Sequence, residues 1–360
     1  MPARPERRSA MRILLVADAE SPHTRRWASA LADEGHDVLL AGFGGPRLAG
    51  VEQVRLGHGH GRSRYLRAVP KLRRVIAGFA PQVVNAHFVS SYGVMANLTG
   101  SGVPLLLTAW GSDVLWLPFR PGWHRDLTTS ALVNASLITY DSEDVGSLLC
   151  AYAPRTPRRR VVFGPERAWA RARRHEQPIV LSGRRPEWFY NVESVLDAFA
   201  MTRAGFPEWR LDVLTYGLDV SHLHARAAAL DVGEAVRFVG LLDRAGIEEH
   251  YLRAAIFCSV PSSDGSAASL LEGMAAGSFP IVSDLPANHE WIEHPKNGLV
   301  VPAGDTGALA DALKLAMSSP ELRAEACVRN RHYVAQSASW ETAIHDVVDA
   351  LTGLTASMRA

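Results

Sequence analysis

Two acids eight residues apart, Asp264 and Glu272, frame a run of small residues that ends at Gly277. Leu270, Leu271, Met274 and Ala275 recur at i, i+1, i+4 and i+5, which predicts a helix from near Ala268 to a stop at Gly277. The small side chains of Gly265, Ser266, Ala267 and Ala268 let a ligand approach the backbone. Helix-start amides around Ser269 and Leu270 then make an anion site suited to a diphosphate. Glu272, read as part of the first helical turn, suits hydrogen bonds from vicinal hydroxyls such as those of a ribose. It equally suits a first-turn acid held by the helix dipole.

These residues need a frame. An apolar strand over 256–260 feeds the loop that carries Asp264. Further strand-like runs precede it at 179–182, 211–214 and 236–239 and follow at 279–283 and 299–301, with helical patterns at 192–202 and 221–229. The first half repeats the alternation. Its runs at 13–17, 38–41, 83–86, 105–108 and 137–139 are unbroken and apolar, as strands buried on both faces require. Strands alternating with helices predict parallel sheets joined by right-handed crossovers. Residues 153–178 hold four prolines and eight arginines and read as a linker seam between two Rossmann-like domains.

With 360 residues, 47% of them hydrophobic and 21% charged, the chain is long and apolar enough for two cores. Its three cysteines, Cys150, Cys258 and Cys327, exclude a disulfide framework, and no cysteine–histidine spacing suits zinc. Residues 1–10 read as a basic tail without a secretory signal. The uncharged stretch 75–112 is broken by proline, asparagine, histidine and glycine, so it predicts buried strands and loops, not a membrane span. Net charge is +1, yet residues 1–165 carry 20 basic and 12 acidic side chains, and residues 166–360 carry 18 and 25. Within the basic half, Arg55, Arg62, Arg64, Arg67, Lys71, Arg73 and Arg74 follow one another with no acid between. Such a run suits an anionic acceptor, an anionic membrane surface, or simply a solvated helix face. No basic motif interleaved with aromatics points to nucleic acid.

The segment from Asp264 to Glu272 resembles the paired-acid signature of retaining GT-B glycosyltransferases of family 4, with an aspartate in place of the first glutamate. The resemblance extends to the opening strand and helix, to Thr108-Ala109-Trp110-Gly111-Ser112-Asp113, and to the segments around 181–199, 236–241 and 279–303. It implies an α/β fold of GT-B architecture, two Rossmann-like parallel-sheet domains facing across a cleft. Residues 11–165, rejoined by a C-terminal helix over 343–360, would be the acceptor domain and 166–342 the nucleotide-sugar donor domain.

By the same resemblance Glu272 holds the donor ribose and Asp264 meets the transferred sugar. The amides from Gly265 to Leu271, with Ser266, Ser269 and Leu270 between, hold sugar and diphosphate. Gly240 and Leu241 border the base. Arg184 or Arg185 takes the family's phosphate arginine, whereas the lysine position reads Tyr190-Asn191. On the acceptor side stand His23, Thr24 and Arg25, in a loop that precedes a helix and in place of a glycine-rich one. His87, Gly111 and Asp113 join them, with Trp110 where the family has a histidine. A tryptophan cannot transfer a proton.

The resemblance thus implies an enzyme of carbohydrate or glycoconjugate biosynthesis that moves a sugar from a nucleotide-diphosphate sugar to a hydroxyl, with retention. It implies no cofactor beyond that co-substrate. With no DxD-like acidic cluster beside the phosphate site, no metal is expected; the three cysteines suit a reducing, cytoplasmic setting, and the basic run 55–74 suits a location peripheral to the inner membrane face. The missing lysine and histidine leave open a non-catalytic nucleotide-sugar binder, or an epimerase, on the same fold.

Overall fold

The computed structural model describes residues 10–59 and 61–356, so most of the expected tail at 1–10 lies outside the described residues. The chain divides into two compact units. One takes the residues up to Val161 together with those from Ile344 onward, and the other takes Val162–Ala343.

In the first unit the strands are β1 Arg12–Val16, β2 Asp37–Gly42, β3 Glu52–Arg55, β4 Val83–His87, β5 Leu105–Thr108, β6 Leu137–Tyr140 and β7 Arg158–Arg160. They pair in the order β3-β2-β1-β4-β5-β6-β7, all parallel. Ile13, Leu14, Leu15 and Val16 are fully buried, which is what the unbroken apolar run requires of a central strand. The second unit holds β8 Gln177–Ser182, β9 Arg210–Leu214, β10 Val236–Val239, β11 Ala254–Ser259, β12 Phe279–Ser283 and β13 Leu299–Val301. Their order is β10-β9-β8-β11-β12-β13, again parallel.

Each sheet therefore reverses its strand order once, beside β1 and β4 in the first and beside β8 and β11 in the second. Loops leaving the carboxyl ends of such strands splay apart and leave a crevice for ligand. The loops that follow β8 and β11 carry Arg184 and Asp264 respectively.

The seam at 153–178 is more than a linker. Arg158–Arg160 adds an edge strand to the first sheet, where only one side needs pairing and the charged side chains stay wet. Trp169 is buried in the second unit's core. The uncharged stretch folds as strands β4 and β5 joined by a π-helical turn, Val89–Gly93, and a short helix, Val94–Asn97. Among the described residues no helix is long and apolar enough to cross a membrane. The last helix, Trp340–Ala356, returns the chain to the first unit. There its Asp346 pairs with Arg159 of β7, and Thr355 Oγ1 lies 3.6 Å from Met11 Sδ.

Candidate functional site

Strand β8 ends at Ser182, and Gly183 follows where the chain squeezes past two aromatic rings. A Cβ there would stand 2.6 Å from Tyr251 Oη and 2.9 Å from the Phe257 ring. The squeeze delivers Arg184 into the site. Its Nη2 donates to Asp264 Oδ2 at 2.6 Å and its Nη1 to Ser269 Oγ at 2.7 Å, with the guanidinium 4.1 Å from the centre of the Tyr190 ring. Burial is the largest single influence on Arg184 and opposes its charge, but the Asp264 carboxylate and, after it, Tyr190, Tyr216 and Tyr251 together outweigh it and the pKa is raised. Asp264 Oδ1 also accepts from the Gly265 amide at 3.1 Å.

The neighbouring arginine behaves differently. Arg185 is half exposed and its Nε pairs with Glu187 at 3.1 Å, so of the two expected phosphate partners only Arg184 joins the cluster. Tyr190 forms the floor beneath it. Asn191, at φ +53°, donates from Nδ2 to Val260 O at 2.9 Å and to Ser262 Oγ at 3.0 Å. Where the family has a lysine, this chain has a stitch between the loops after β8 and β11; the Ser262 amide bonded to Phe189 O is a second.

The expected helix spans Ala268–Ala276 and stops at Gly277, φ +86°. Two details differ from the sequence reading. The amides of Leu270 and Leu271 both donate to Ala267 O, so the helix-start amides left without a partner among the described residues belong to Ala268 and Ser269. Because the helix begins at Ala268, Glu272 is its fifth residue and falls outside the first turn, away from the free amides. The side chains of Leu270 and Leu271 are core, and Ser266 Oγ accepts from buried Trp291 Nε1 at 3.1 Å.

Glu272 has a partner the sequence did not reveal. Arg244 Nη1 donates to its Oε1 at 2.5 Å, Nη2 donates to Glu166 Oε2 at 3.0 Å, and the guanidinium lies 4.3 Å from the Trp169 ring centre. The one available signal was a charged Asp243-Arg244 pair just beyond Gly240 and Leu241. Asp243 caps the helix Arg244–Arg253 through the Gly246 amide, which fixes the base of the arginine. Tyr216 was missed as well. Its hydroxyl donates to Gly183 O at 2.8 Å and is pushed well up by burial and by Glu272. Gly240 follows β10 directly, and Leu241 stands exposed beside Gly217.

In the first unit, His23, Thr24 and Arg25 form the first turn of the helix Pro22–Asp33 and not a preceding loop, because Pro22 suits the first helical position. Thr24 is buried, and Arg25 Nη1 donates back to Glu20 O at 3.1 Å. The His23 and His87 rings flank Trp110, with centroids 5.4 and 5.5 Å from it. His87 is enclosed, its Nδ1 has no hydrogen-bond partner among the described residues, and burial pushes it down to about 3, so it is neutral. Gly111 takes φ +84°, a conformation only glycine adopts without strain. Asp113 is buried with both oxygens engaged, accepting from the Val89 amide at 2.6 Å and the Trp110 amide at 2.9 Å. It ties together the segments after β4 and β5. Among the described residues no three histidine, cysteine or acidic side chains form a metal-holding group.

Residues 12–142 match the family model for glycosyl transferase 4-like sequences, and residues 165–332 match glycosyl transferases group 1. The phosphatidyl-myo-inositol mannosyltransferase of Mycobacterium leprae is 33% identical over 147 residues, 40% of this chain and 38% of that protein. The matched stretch thus spans well under half of the relative's length. Sucrose-phosphate synthase from Thermosynechococcus elongatus superposes with a TM-score of 0.83 at 18% identity, over 96% of this chain and 100% of that one. HepE of Anabaena, solved with UDP-glucose, superposes with a TM-score of 0.79 at 15% identity, over 95% and 100% of the two chains. With both halves matched by the family's models and two parallel Rossmann-like units in sequence, the chain belongs to the family 4-like, group 1 glycosyltransferases of the GT-B fold.

Proposed function

We propose that the protein transfers a sugar from a nucleotide-diphosphate sugar to a hydroxyl acceptor, with retention of anomeric configuration and without a divalent metal. The observation that carries this reading is the cluster at the start of the helix Ala268–Ala276. There Arg184, the hydroxyl of Ser269 and the free amides of Ala268 and Ser269 converge beside Asp264. Breaking the bond between the anomeric carbon and the diphosphate oxygen leaves positive charge on the sugar and negative charge on the phosphate. Preorganised donors at that phosphate favour the transition state more than the ground state. Arg184 and the helix start supply the positive charge that a cation would otherwise provide.

On this reading the second unit, 162–343, binds the donor and the first receives the acceptor. Asp264 turns toward the transferred sugar once phosphate takes Arg184. Glu272 receives the ribose hydroxyls on the oxygen that Arg244 does not hold. The leaving diphosphate accepts the acceptor proton as the new glycosidic bond forms on the same face. The relatives support the donor class, since one was solved with UDP-glucose and another is named for mannosyl transfer to a lipid. The excess of basic side chains in the first unit fits an anionic acceptor or an anionic membrane surface.

Calorimetric titration of UDP, GDP and ADP against the wild type and Glu272→Ala tests the donor site. One nucleotide should bind, and the variant should lose about 1.5 kcal/mol or more, the scale of a charge-assisted hydrogen bond. Equal binding by the variant, or no binding by either, would refute the placement of the ribose.

A further inference from the structure

The backbone just after β4 is strained. Phe88 takes φ +68° and ψ +87°, a left-handed conformation that a bulky side chain enters only at a cost. Glycine or asparagine would meet that backbone more easily. Among the described residues one other aromatic has a positive φ, Tyr216, and its hydroxyl gains the bond to Gly183 O. Phe88 has no such return. It is absent from the core that takes its neighbours Val89 and Tyr92, and it is 38% exposed.

The surrounding chain holds that strain in place. The Phe88 amide donates to Thr108 O of β5 at 3.0 Å, and its carbonyl accepts from the amides of Ser91 and Gly93, both at 3.2 Å. The next amide, that of Val89, is taken by buried Asp113. The π-helical turn is anchored in its turn: Tyr92 packs edge-on to Tyr65 and against Phe43, and a Cβ on Gly93 would stand 3.0 Å from Leu107. Insertions of this helical type and strained residues concentrate at functional sites. The place fits as well, because β4 lies beside β1 where the first sheet reverses its strand order, and such sheets take ligands at the carboxyl ends there. The second oxygen of Asp113 holds the Trp110 amide, so one carboxylate fixes the backbone beside both aromatic residues, one after β4 and one after β5. Half-buried Ser90 and Ser91 put hydroxyls next to Phe88 on the same turn.

We propose that Phe88 is the platform on which the acceptor stacks, and that it selects an acceptor whose hydroxyl belongs to a saturated ring polyol, a sugar or a cyclitol. Such a ring carries C–H bonds on one face and hydroxyls around its rim. The C–H dipoles meet the negative face of the phenyl ring, and the rim hydroxyls exchange hydrogen bonds with the serine-bearing turn. An open-chain alcohol offers the hydroxyls without the face. The proposal rests on the acceptor-side reading of the first unit and is independent of the donor cluster.

Saturation-transfer NMR on the full chain tests it. The probes are methyl α-D-glucopyranoside, myo-inositol and open-chain sorbitol, each titrated alone and beside UDP, GDP or ADP. Saturation should reach the ring C–H protons of at least one cyclic probe and not those of sorbitol. Phe88→Asn suits a positive φ and removes the face, so it should bind that probe at least about fivefold more weakly, whereas Phe88→Tyr should keep wild-type affinity. Equal transfer to sorbitol overturns the proposal, since it would leave an unselective contact with hydroxyls. So does wild-type affinity in Phe88→Asn, which would place the ligand elsewhere, or an equal loss in Phe88→Tyr, which would deny the ring its role. A Phe88→Asn chain that no longer melts cooperatively would make the ring part of the fold and overturn it too. Calorimetry with the nucleotides separates this proposal from the donor reading. A wild type that binds a cyclic probe and no nucleotide refutes the donor reading and leaves the platform; one that binds nucleotide and no cyclic probe refutes the platform alone.

Discussion

Arg184 and Asp264 meet at 2.6 Å with both side chains largely withdrawn from water. One leaves the sheet after β8 and the other after β11, so the pair closes the point where the strand order reverses. A buried pair holds its partners in place more than it stabilises the fold, since desolvation offsets most of the attraction. Arg184→Ala or Asp264→Ala alone strands a buried charge and should lower stability by about 3–5 kcal/mol. The combined Arg184→Met/Asp264→Leu variant should melt higher than either single variant and yet bind no nucleotide diphosphate. Thermal melting beside calorimetry separates the two effects. A double variant that still binds diphosphate would remove Arg184 from the phosphate site.

Arg244 reaches Glu272 from a more exposed position, with 41% of its side chain accessible, so the pair itself contributes only about 0.2–1 kcal/mol to the fold. Its consequence is positional. One carboxylate oxygen is held by Arg244, and on the proposed reading the other receives the ribose. Arg244→Ala should weaken nucleotide binding less than Glu272→Ala does, and in the Glu272→Ala background it should cost almost nothing. That non-additivity, read from a double-mutant cycle of dissociation constants, is the signature of a residue acting through another. Independent, additive losses would instead place Arg244 on the ligand directly.

The central strands were legible because burial on both faces forces an unbroken apolar run, as in Ile13-Leu14-Leu15-Val16. Edge strands obey no such rule. Glu52–Arg55 and Arg158–Arg160 take their hydrogen bonds from one neighbour and keep charged side chains in water, so their sequences carry no strand period. The site divides the same way. Asp264, Ser269 and Glu272 lie on one short segment whose small residues and helix period point to an anion. Arg244 is brought to Glu272 across 28 residues by strand order alone, and local pattern has no access to that. The one-residue displacement of the free amides, from Ser269 and Leu270 back to Ala268 and Ser269, depends on a tight first turn that residue types do not specify.

Gly183 allows the close passage that aims Arg184. A methyl group there meets Tyr251 Oη and the Phe257 ring, both fully buried and unable to retreat cheaply. Gly183→Ala should therefore lose about 1–3 kcal/mol of stability, the usual cost of overpacking a core. It should also weaken diphosphate binding, because the chain can relieve the clash only by moving the residue that follows. If the variant is less stable but binds nucleotide with wild-type affinity, Arg184 is positioned by Asp264 alone.

In the first unit, His87 and Asp113 make opposite contributions to stability as pH falls. Burial holds His87 at about 3 against an ordinary 6.5, so below about 6.5 the unfolded chain takes up a proton that the folded chain refuses, and stability is lost. Burial raises Asp113 from 3.8 to about 6 despite its two amide donors, so between about 6 and 3.8 the folded chain binds a proton first, and stability is gained. The two slopes oppose each other through that window and leave the wild type with a shallow profile. Each unit of offset corresponds to about 1.4 kcal/mol at full expression. His87→Phe keeps a ring against Trp110 while removing the acid-side loss. Relative to wild type it should gain about 1 kcal/mol of stability for each pH unit below 6.5. Asp113→Asn should lose the compensating gain and fall behind wild type between pH 6 and 4. Urea unfolding at pH 7.5, 6, 5 and 4.5 reads both. A His87→Phe offset that is the same at pH 7.5 and pH 5 would mean that the folded chain protonates His87 after all. The ring would then be open to water, and the neutral His87 packed against Trp110 would be wrong.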